Sequence, residues 1–294
     1  MSPPPPADTY AAPVGAPSSS LGSPGRPRSK RSGARFGGPG ALGLGLSTLY
    51  LSVIVLIPVA ALISVALGSG LHAFWTSFTS PLALKALWQT TVLAAIVAVI
   101  GSLMGTLVAW VLVRDQFPGK RILNAVIDLP FALPTIVASL ALLGLYGTSS
   151  PVGINIALTR TIVAVALLFV TLPFAVRSVQ PVLLELDQDV EEAAASLGAS
   201  NWTVFRRIVL PALRPAILSG TALSFARCMG EYGSIVLLAG NFPIASLVIF
   251  ADVESATGSG NSAYQPAAGL SVALLGIALV VLFGIRKWGS DSGR

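Results

Sequence analysis

Six stretches of this sequence stay apolar for longer than the core of a water-soluble fold requires: roughly 41–67, 87–113, 122–146, 160–181, 214–240 and 266–285. A helix rises 1.5 Å per residue, so about 20 apolar residues cross ~30 Å of hydrocarbon. Soluble folds rarely contain apolar runs of ~18 residues or more. The chain therefore reads as an all-α integral membrane protein with about six transmembrane helices. Composition agrees. Of 294 residues 54% are hydrophobic and only 10% are charged, against about 25% charged in a soluble chain whose surface faces water.

Residues 1–40 are Pro, Gly, Ser and Ala with a basic end at Arg26, Arg28, Lys30, Arg31 and Arg35. Such a segment buries too little apolar area to offset its chain entropy, and it reads as a disordered cytoplasmic tail. Charge placement orients the rest. With the N-terminus inside and six alternating helices, cytoplasmic segments hold 15 of the 18 Lys and Arg residues. External loops hold Lys85 and Arg160, and Arg227 falls inside the fifth run. The positive-inside rule then puts both termini in the cytoplasm. The same asymmetry accounts for the net charge of +6, so the basic tail is read as a membrane-side flank and no nucleic-acid partner is expected. Prolines within the runs (Pro58, Pro130, Pro134, Pro173) are expected to kink their helices, which membrane proteins tolerate when neighbours satisfy the freed carbonyls.

One cysteine (Cys228) and one histidine (His72) leave no basis for a disulfide framework or a Cys/His metal cluster. No G-x-x-x-x-G-K-[ST] phosphate loop occurs, and the nearest Gly-Lys pair, Gly119-Lys120, lies between Pro118 and Arg121. The chain is thus expected to be a conduit and not an enzyme, with the energy for any transport coming from a partner or an ion gradient. No cofactor is expected within it.

One polar segment interrupts the apolar pattern, from Glu185 to Pro211. Asp187 and Asp189 precede an alanine-rich stretch, where a helix dipole favours acidic groups. Gly198 allows a turn, and Asn201 is positioned to cap a second short helix leading to Pro211. The expectation is a helix–turn–helix with a small face at Ala193, Ala194 and Ala195, anchored in the protein's own core by Phe205 and Ile208.

The spacing Glu192-Ala193-Ala194, three residues, Gly198, nine residues, then Ile208-x-Leu210-Pro211 resembles the EAA loop of bacterial ABC-importer permeases. Further stretches resemble the sulfate/thiosulfate importer permeases in particular: Asp128 to Pro134, Pro173 to Pro181, Gly230-Glu231-Tyr232-Gly233, Ala239-Gly240-Asn241, and Phe117-Pro118-Gly119. The likeness covers about residues 41–288. Molybdate permeases are similar in the fifth helix. The outer stretch Glu254 to Tyr264 is longer than the family usually has.

The resemblance implies an ABC type I importer permease fold. It gives a first transmembrane helix at 41–67 and a permease domain at 86–286 that carries the coupling loop 185–211. It implies that Glu192, Ala193, Ala194, Gly198, Ile208, Leu210 and Pro211 form the element that docks on an ATPase. The implied partners are a second permease subunit, two ATPase subunits that bind the ATP, and an extracytoplasmic sulfate-binding protein. The implied place is the bacterial plasma membrane, with sulfate or thiosulfate as cargo and molybdate or another oxyanion as the alternative. Of other classes, an ion-coupled secondary transporter would dispense with a docking loop and often shows an inverted repeat. A membrane assembly protein would need no ionisable pair at mid-bilayer.

Arg227 and Glu231 form that pair, at i and i+4 in the fifth run. An ionised side chain at mid-bilayer costs roughly 3 kcal/mol, so both must face protein or water. Either they line the translocation path or they pair with each other and lock the packing. Cation before anion is the less favoured order within a helix, which favours partners on other helices. Asp128, with Pro130 and Pro134 close behind, is expected to cap backbone freed by the prolines or to support packing. Cys228 reads as a small packing residue.

Overall fold

A computed structural model describes residues 39–258 and 260–291. The tail expected at 1–40 lies outside them except for Pro39 and Gly40. The chain divides into two units, Met1–Ser52 and Val53–Arg294. The first contributes helix α1 (Pro39–Leu51), in which the Thr48 hydroxyl donates to the Leu44 carbonyl at 2.7 Å. The helices that follow belong to the second unit.

The order of elements there is α2 (Ile57–Leu67), α3 (Leu71–Thr79), α4 (Pro81–Arg114), α5 (Lys120–Ala132), α6 (Thr135–Tyr146) and α7 (Arg160–Glu185). Then come α8 (Gln188–Ser196), α9 (Asn201–Val204), α10 (Leu210–Met229), α11 (Ala245–Ala256) and α12 (Gln265–Asp291). Among the described residues five helical stretches are long and apolar enough to cross a membrane: Gly43–Leu67, Pro81–Arg114, Arg160–Glu185, Asn201–Met229 and Gln265–Lys287. A sixth exists if α5 and α6 count as one broken span.

Two of the six expected runs take a different form. The run at 122–146 breaks at Leu133–Pro134, where the chain bends by 115°. Two prolines four residues apart remove two N–H donors, and Pro134 forces Leu133 into an extended conformation (φ −88°, ψ 133°). The result is a sharp corner where a kink was expected. The run at 214–240 starts earlier and stops earlier. Its helix is reached through α9 and a π turn, Phe205–Val209, and ends at Met229. In contrast, Pro173 and Pro181 sit inside α7 without breaking it.

Helices α4, α7 and α10 form the centre, and each packs chiefly on the other two. Lipid offers no hydrophobic drive between helices, so close backbone approach and polar contacts have to hold them. Small residues permit that approach: Ala94 and Ala98 on α4, Ala166 and Ala175 on α7, and Ala216 on α10 are buried. At Gly105 a Cβ would lie 2.6 Å from that of Ala175 and 3.1 Å from the Val176 nitrogen, so only glycine fits between α4 and α7. Hydroxyls supply the polar contacts. Thr221 donates to Ser102 at 2.7 Å, and Ser224 donates to the Thr171 carbonyl at 3.3 Å.

On the far side of α10, α12 also covers α2, α3 and α11. The Gln265 amide at its start donates to the Ala66 carbonyl (3.2 Å) and to Ser77 (3.0 Å), tying the ends of α2 and α3 together.

Gly105→Val is expected to force α4 and α7 apart, an overpacking cost of about 1–3 kcal/mol. Thermal unfolding of the detergent-purified protein should show a clearly lowered midpoint, whereas Gly43→Val, where nothing lies within 4 Å, should leave it unchanged.

Candidate coupling segment and membrane-embedded ion pairs

The segment between α7 and α10 is two helices joined at a glycine, as its sequence suggests. Asp187 caps α8, its carboxylate accepting from the Asp189 amide at 3.0 Å. Asp189 and Glu191 fill the first turn, where the helix dipole favours negative charge. Gly198 has φ +87°, a conformation that L side chains avoid, and it turns the chain toward α9. The cap of α9 is Ser200, whose side chain accepts from the Thr203 amide at 3.3 Å, and not Asn201. Asn201 is the first helical residue. Nor is the second helix short, since α9, the π turn and α10 form one span from Asn201 to Met229. Leu210 and Pro211 open α10, and Pro211, which has no N–H, follows directly on the π turn.

Phe205 and Ile208 anchor the segment as expected, packed against the cluster of Leu112, Val179, Leu183 and Leu213. The Phe205 ring meets Trp110 edge-on at 5.6 Å and stacks on Trp202. Glu192, Ala193 and Ala195 are exposed. So are three large apolar side chains: Val190 at 50%, Trp202 at 67% and Leu197 at 90%.

Three ion pairs follow, two of which the sequence did not suggest. Glu191 on α8 pairs with Arg114, the last residue of α4, and the Arg114 guanidinium also lies 5.5 Å from the Trp110 ring. Both side chains are largely shielded, at 13% and 20% exposure. Nothing in spacing could link residues 77 apart. The only sequence signal was a basic residue closing the second run and an acidic one opening the polar segment.

Asp128 on α5 pairs with Arg177 on α7, its Oδ1 accepting from Nε at 2.9 Å and its Oδ2 from Nη2. The carboxylate thus joins two helices and does not cap backbone freed by Pro130 and Pro134. The prolines free carbonyls, which like the carboxylate only accept, whereas the planar fork of Arg177 on the neighbouring helix donates to both carboxylate oxygens at once.

Arg227 and Glu231 pair with each other, contrary to the expectation of partners on other helices. The helix-order argument fails because α10 stops at Met229, so Glu231 lies beyond it and is free of helical geometry. Glu231 is 2% exposed, and its Oε1 accepts from the Ser234 amide at 3.0 Å. Arg227 remains about one-third exposed.

The irregular stretch that follows is tolerable at membrane depth only if its polar groups find protein partners, and several do. The Glu231 carbonyl accepts from Ser246 (2.7 Å), the Gly233 carbonyl from Ser139 on α6 (2.7 Å), and the Ala245 amide donates to Thr90 on α4 (2.9 Å). Cys228 is buried in the core cluster.

The segment from Glu254 comprises the end of α11, a turn at Gly258 (φ +88°) and a 3-10 turn at Asn261–Tyr264. Asp252 on α11, whose carboxyl is raised by burial, shares a small groove with Thr76, Ser77, Ser80 and Gln265. Among the described residues no three His, Cys, Asp or Glu side chains gather as a metal would require.

Glu191→Gln leaves the Arg114 charge without its partner in a mostly dry site, at a cost of roughly 3 kcal/mol. Limited proteolysis should then cleave between Glu185 and Ser200 several-fold faster than in the parent. Glu192→Gln, on the exposed side of α8, should leave cleavage unchanged.

The comparisons fit this architecture. Residues 99–286 match the family model described as binding-protein-dependent transport system inner membrane component. A probable sulfate transport system permease protein of Chlorokybus atmophyticus is 44% identical over 252 residues, covering 82% of this chain and 86% of that one. The sulfate transport system permease protein CysT of Synechocystis sp. is 43% identical over 258 residues, covering 83% and 88%. Among solved structures, a chain of a bacterial alginate ABC transporter, crystallised in complex with an alginate pentasaccharide-bound periplasmic protein, superposes with a TM-score of 0.72. At 16% identity, and covering 86% of this chain and 94% of that one, it is a likeness of fold. With the family model matched across most of the helical bundle and relatives this similar over about four-fifths of its length, the chain belongs to the binding-protein-dependent transport system inner membrane components and, among them, to the sulfate transport system permeases.

Proposed function

We propose that this chain imports sulfate and thiosulfate as the membrane subunit of an ATP-driven complex, in a bacterial plasma membrane with both termini cytoplasmic. The complex has a second permease subunit, two ATPase subunits that bind the ATP, and an extracytoplasmic sulfate-binding protein. The chain itself holds no cofactor. The substrate reading is supported by relatives at 43–44% identity whose names specify sulfate.

The observation that carries the coupling reading is the state of α8. It is fixed from behind by Glu191–Arg114 and by the Phe205 anchor, yet Val190 on it, Leu197 at its end and Trp202 on the adjoining α9 are exposed. An apolar face held this firmly and left bare suits a groove on another subunit. Glu192, Ala193 and Gly198 lie on that face and its turn, Ala194 packs instead on the core cluster behind it, and Ile208, Leu210 and Pro211 join the segment to α10. When ATP draws the two ATPases together, α8 moves as a lever. Its two neighbours in sequence, α7 and the span Asn201–Met229, carry the motion into the bundle and switch it between inward- and outward-facing states. Arg227 and Glu231 then line the path. Their pairing leaves no net charge to trap an anion tightly, which suits transit.

Gly198→Pro cannot adopt φ +87°, because proline holds φ near −65°. It is expected to abolish co-purification of the ATPase, and Leu197→Glu to weaken it at least about tenfold. Cells lacking the gene should lose uptake of radiolabelled sulfate, regain it with the intact gene, and fail to regain it with Gly198→Pro. Sulfate uptake unaltered by deletion in a strain without another importer would overturn the substrate, and uptake of molybdate would then be measured.

A further inference from the structure

Arg177 lies inside a membrane-spanning helix, eight residues before the end of α7 at Glu185, or about 12 Å along the axis. All five of its N–H donors are engaged. Nε and Nη2 hold the two oxygens of Asp128, Nη1 donates to Asn124 Oδ1 (3.4 Å) and to Gln180 Oε1, and Nη2 donates also to the Asn124 carbonyl (3.4 Å). Yet the pair is open, with 34% of the Arg177 side chain and 46% of the Asp128 side chain exposed. A charge pair left this open within a span must face water or a polar cavity, not lipid.

The neighbouring contacts set its depth relative to Arg227. Gly220 on α10 packs on Ala175 and Ser178, and Ser224 bonds to Thr171, so the two helices run antiparallel. Arg227 lies three residues outward of Ser224 and Arg177 six residues inward of Thr171, which separates them by about 13 Å along the bundle. Two half-open arginines, each neutralised by a carboxylate, therefore stand at successive depths.

We propose that Arg177 is a second oxyanion station on the path, inward of Arg227, and that Asp128 is the exchangeable partner a passing sulfate displaces. Two oxygens of a tetrahedral oxyanion can take the Nε and Nη2 donors in the same bidentate geometry the carboxylate uses. Asn124 and Gln180 keep Nη1 oriented during the exchange. Asp128, nearly half exposed, swings into water and then returns, and its negative charge expels the dianion and keeps the station weak. Lying just before the 115° corner of α5 and α6, and on the helix that leads into α8, the station also sits where the lever motion would open or close it. This assignment rests on the oxyanion reading above.

The test uses the complete importer, with its second permease, ATPases and binding protein, reconstituted in proteoliposomes and assayed for radiolabelled sulfate uptake and ATP hydrolysis together. Arg177→Gln is expected to cut uptake at least about tenfold in a complex that still assembles. Asp128→Asn, which removes the expelling charge, should slow uptake several-fold while ATP hydrolysis continues, raising the ATP spent per sulfate. The double exchange Asp128→Arg with Arg177→Asp keeps an ion pair between the same helices. Uptake should stay as low as in Arg177→Gln, and recovery to within about twofold of the parent would show a latch and overturn the station. An unchanged ATP-to-sulfate ratio in Asp128→Asn would overturn it as well, and that variant alone decides if the others fail to assemble. A parent complex that moves no sulfate would instead bring down the substrate reading.

Discussion

A charge packed against a membrane-spanning bundle has to find its counter-charge within the protein, and the three pairs described here each fall where a helix ends or the chain turns. Arg114 closes α4 and holds α8 beneath it. Arg177 reaches α5 one turn before the corner at Leu133–Pro134. Arg227 occupies the last turn of α10 and holds Glu231, the second residue past the helix end. Each pair satisfies two groups that would otherwise be costly and, in doing so, fixes a break in the chain. The straight parts need no such device. Alanine, glycine and hydroxyl side chains let α4, α7 and α10 approach closely enough to hold by contact alone.

Much of this was legible in the sequence, and what was not has a physical reason. Hydrophobic length located every spanning region, because membrane thickness imposes it directly. The polar segment was equally readable, since acidic residues, alanines and a glycine each act through local backbone preference. Phe205 and Ile208 were correctly placed in the core on the same logic. Tertiary choices were hidden. Pro130 and Pro134 announced a disturbance but not its angle, which depends on the partners that receive the freed carbonyls. The apolar composition of 230–240 suggested helix, whereas Ser139, Ser246 and Glu231 together stabilise a turn there. Because that helix ends at Met229, a rule for pairs within helices misjudged Arg227 and Glu231. Arg114–Glu191 and Asp128–Arg177 span 77 and 49 residues and follow only from the packing.

The chain's continuity from α7 through α8 to α10 matters for how force would travel. Direction changes at two short joints, Leu186–Asp187 before α8 and Leu197–Ser200 after it, where Gly198 is left-handed. Everything between them is helix fastened to the bundle by side chains. A segment built this way transmits displacement with little slack, since few backbone torsions remain free to absorb it.

The π turn at Phe205–Val209 adds a constraint of angle. Its Leu210 amide bonds back to the Phe205 carbonyl, five residues away, where an α-helix would bond four. One surplus residue is thereby wound into the span, and each residue of an α-helix corresponds to about 100° of rotation. The direction in which α8 and Trp202 point is therefore phased to the direction in which Arg227 points by the presence of that single residue. Removing Arg206 or Arg207 from the turn would rotate the surface of α8 relative to that of Arg227 by more than a quarter of a circle, although Phe205, Ile208 and Val209 remained.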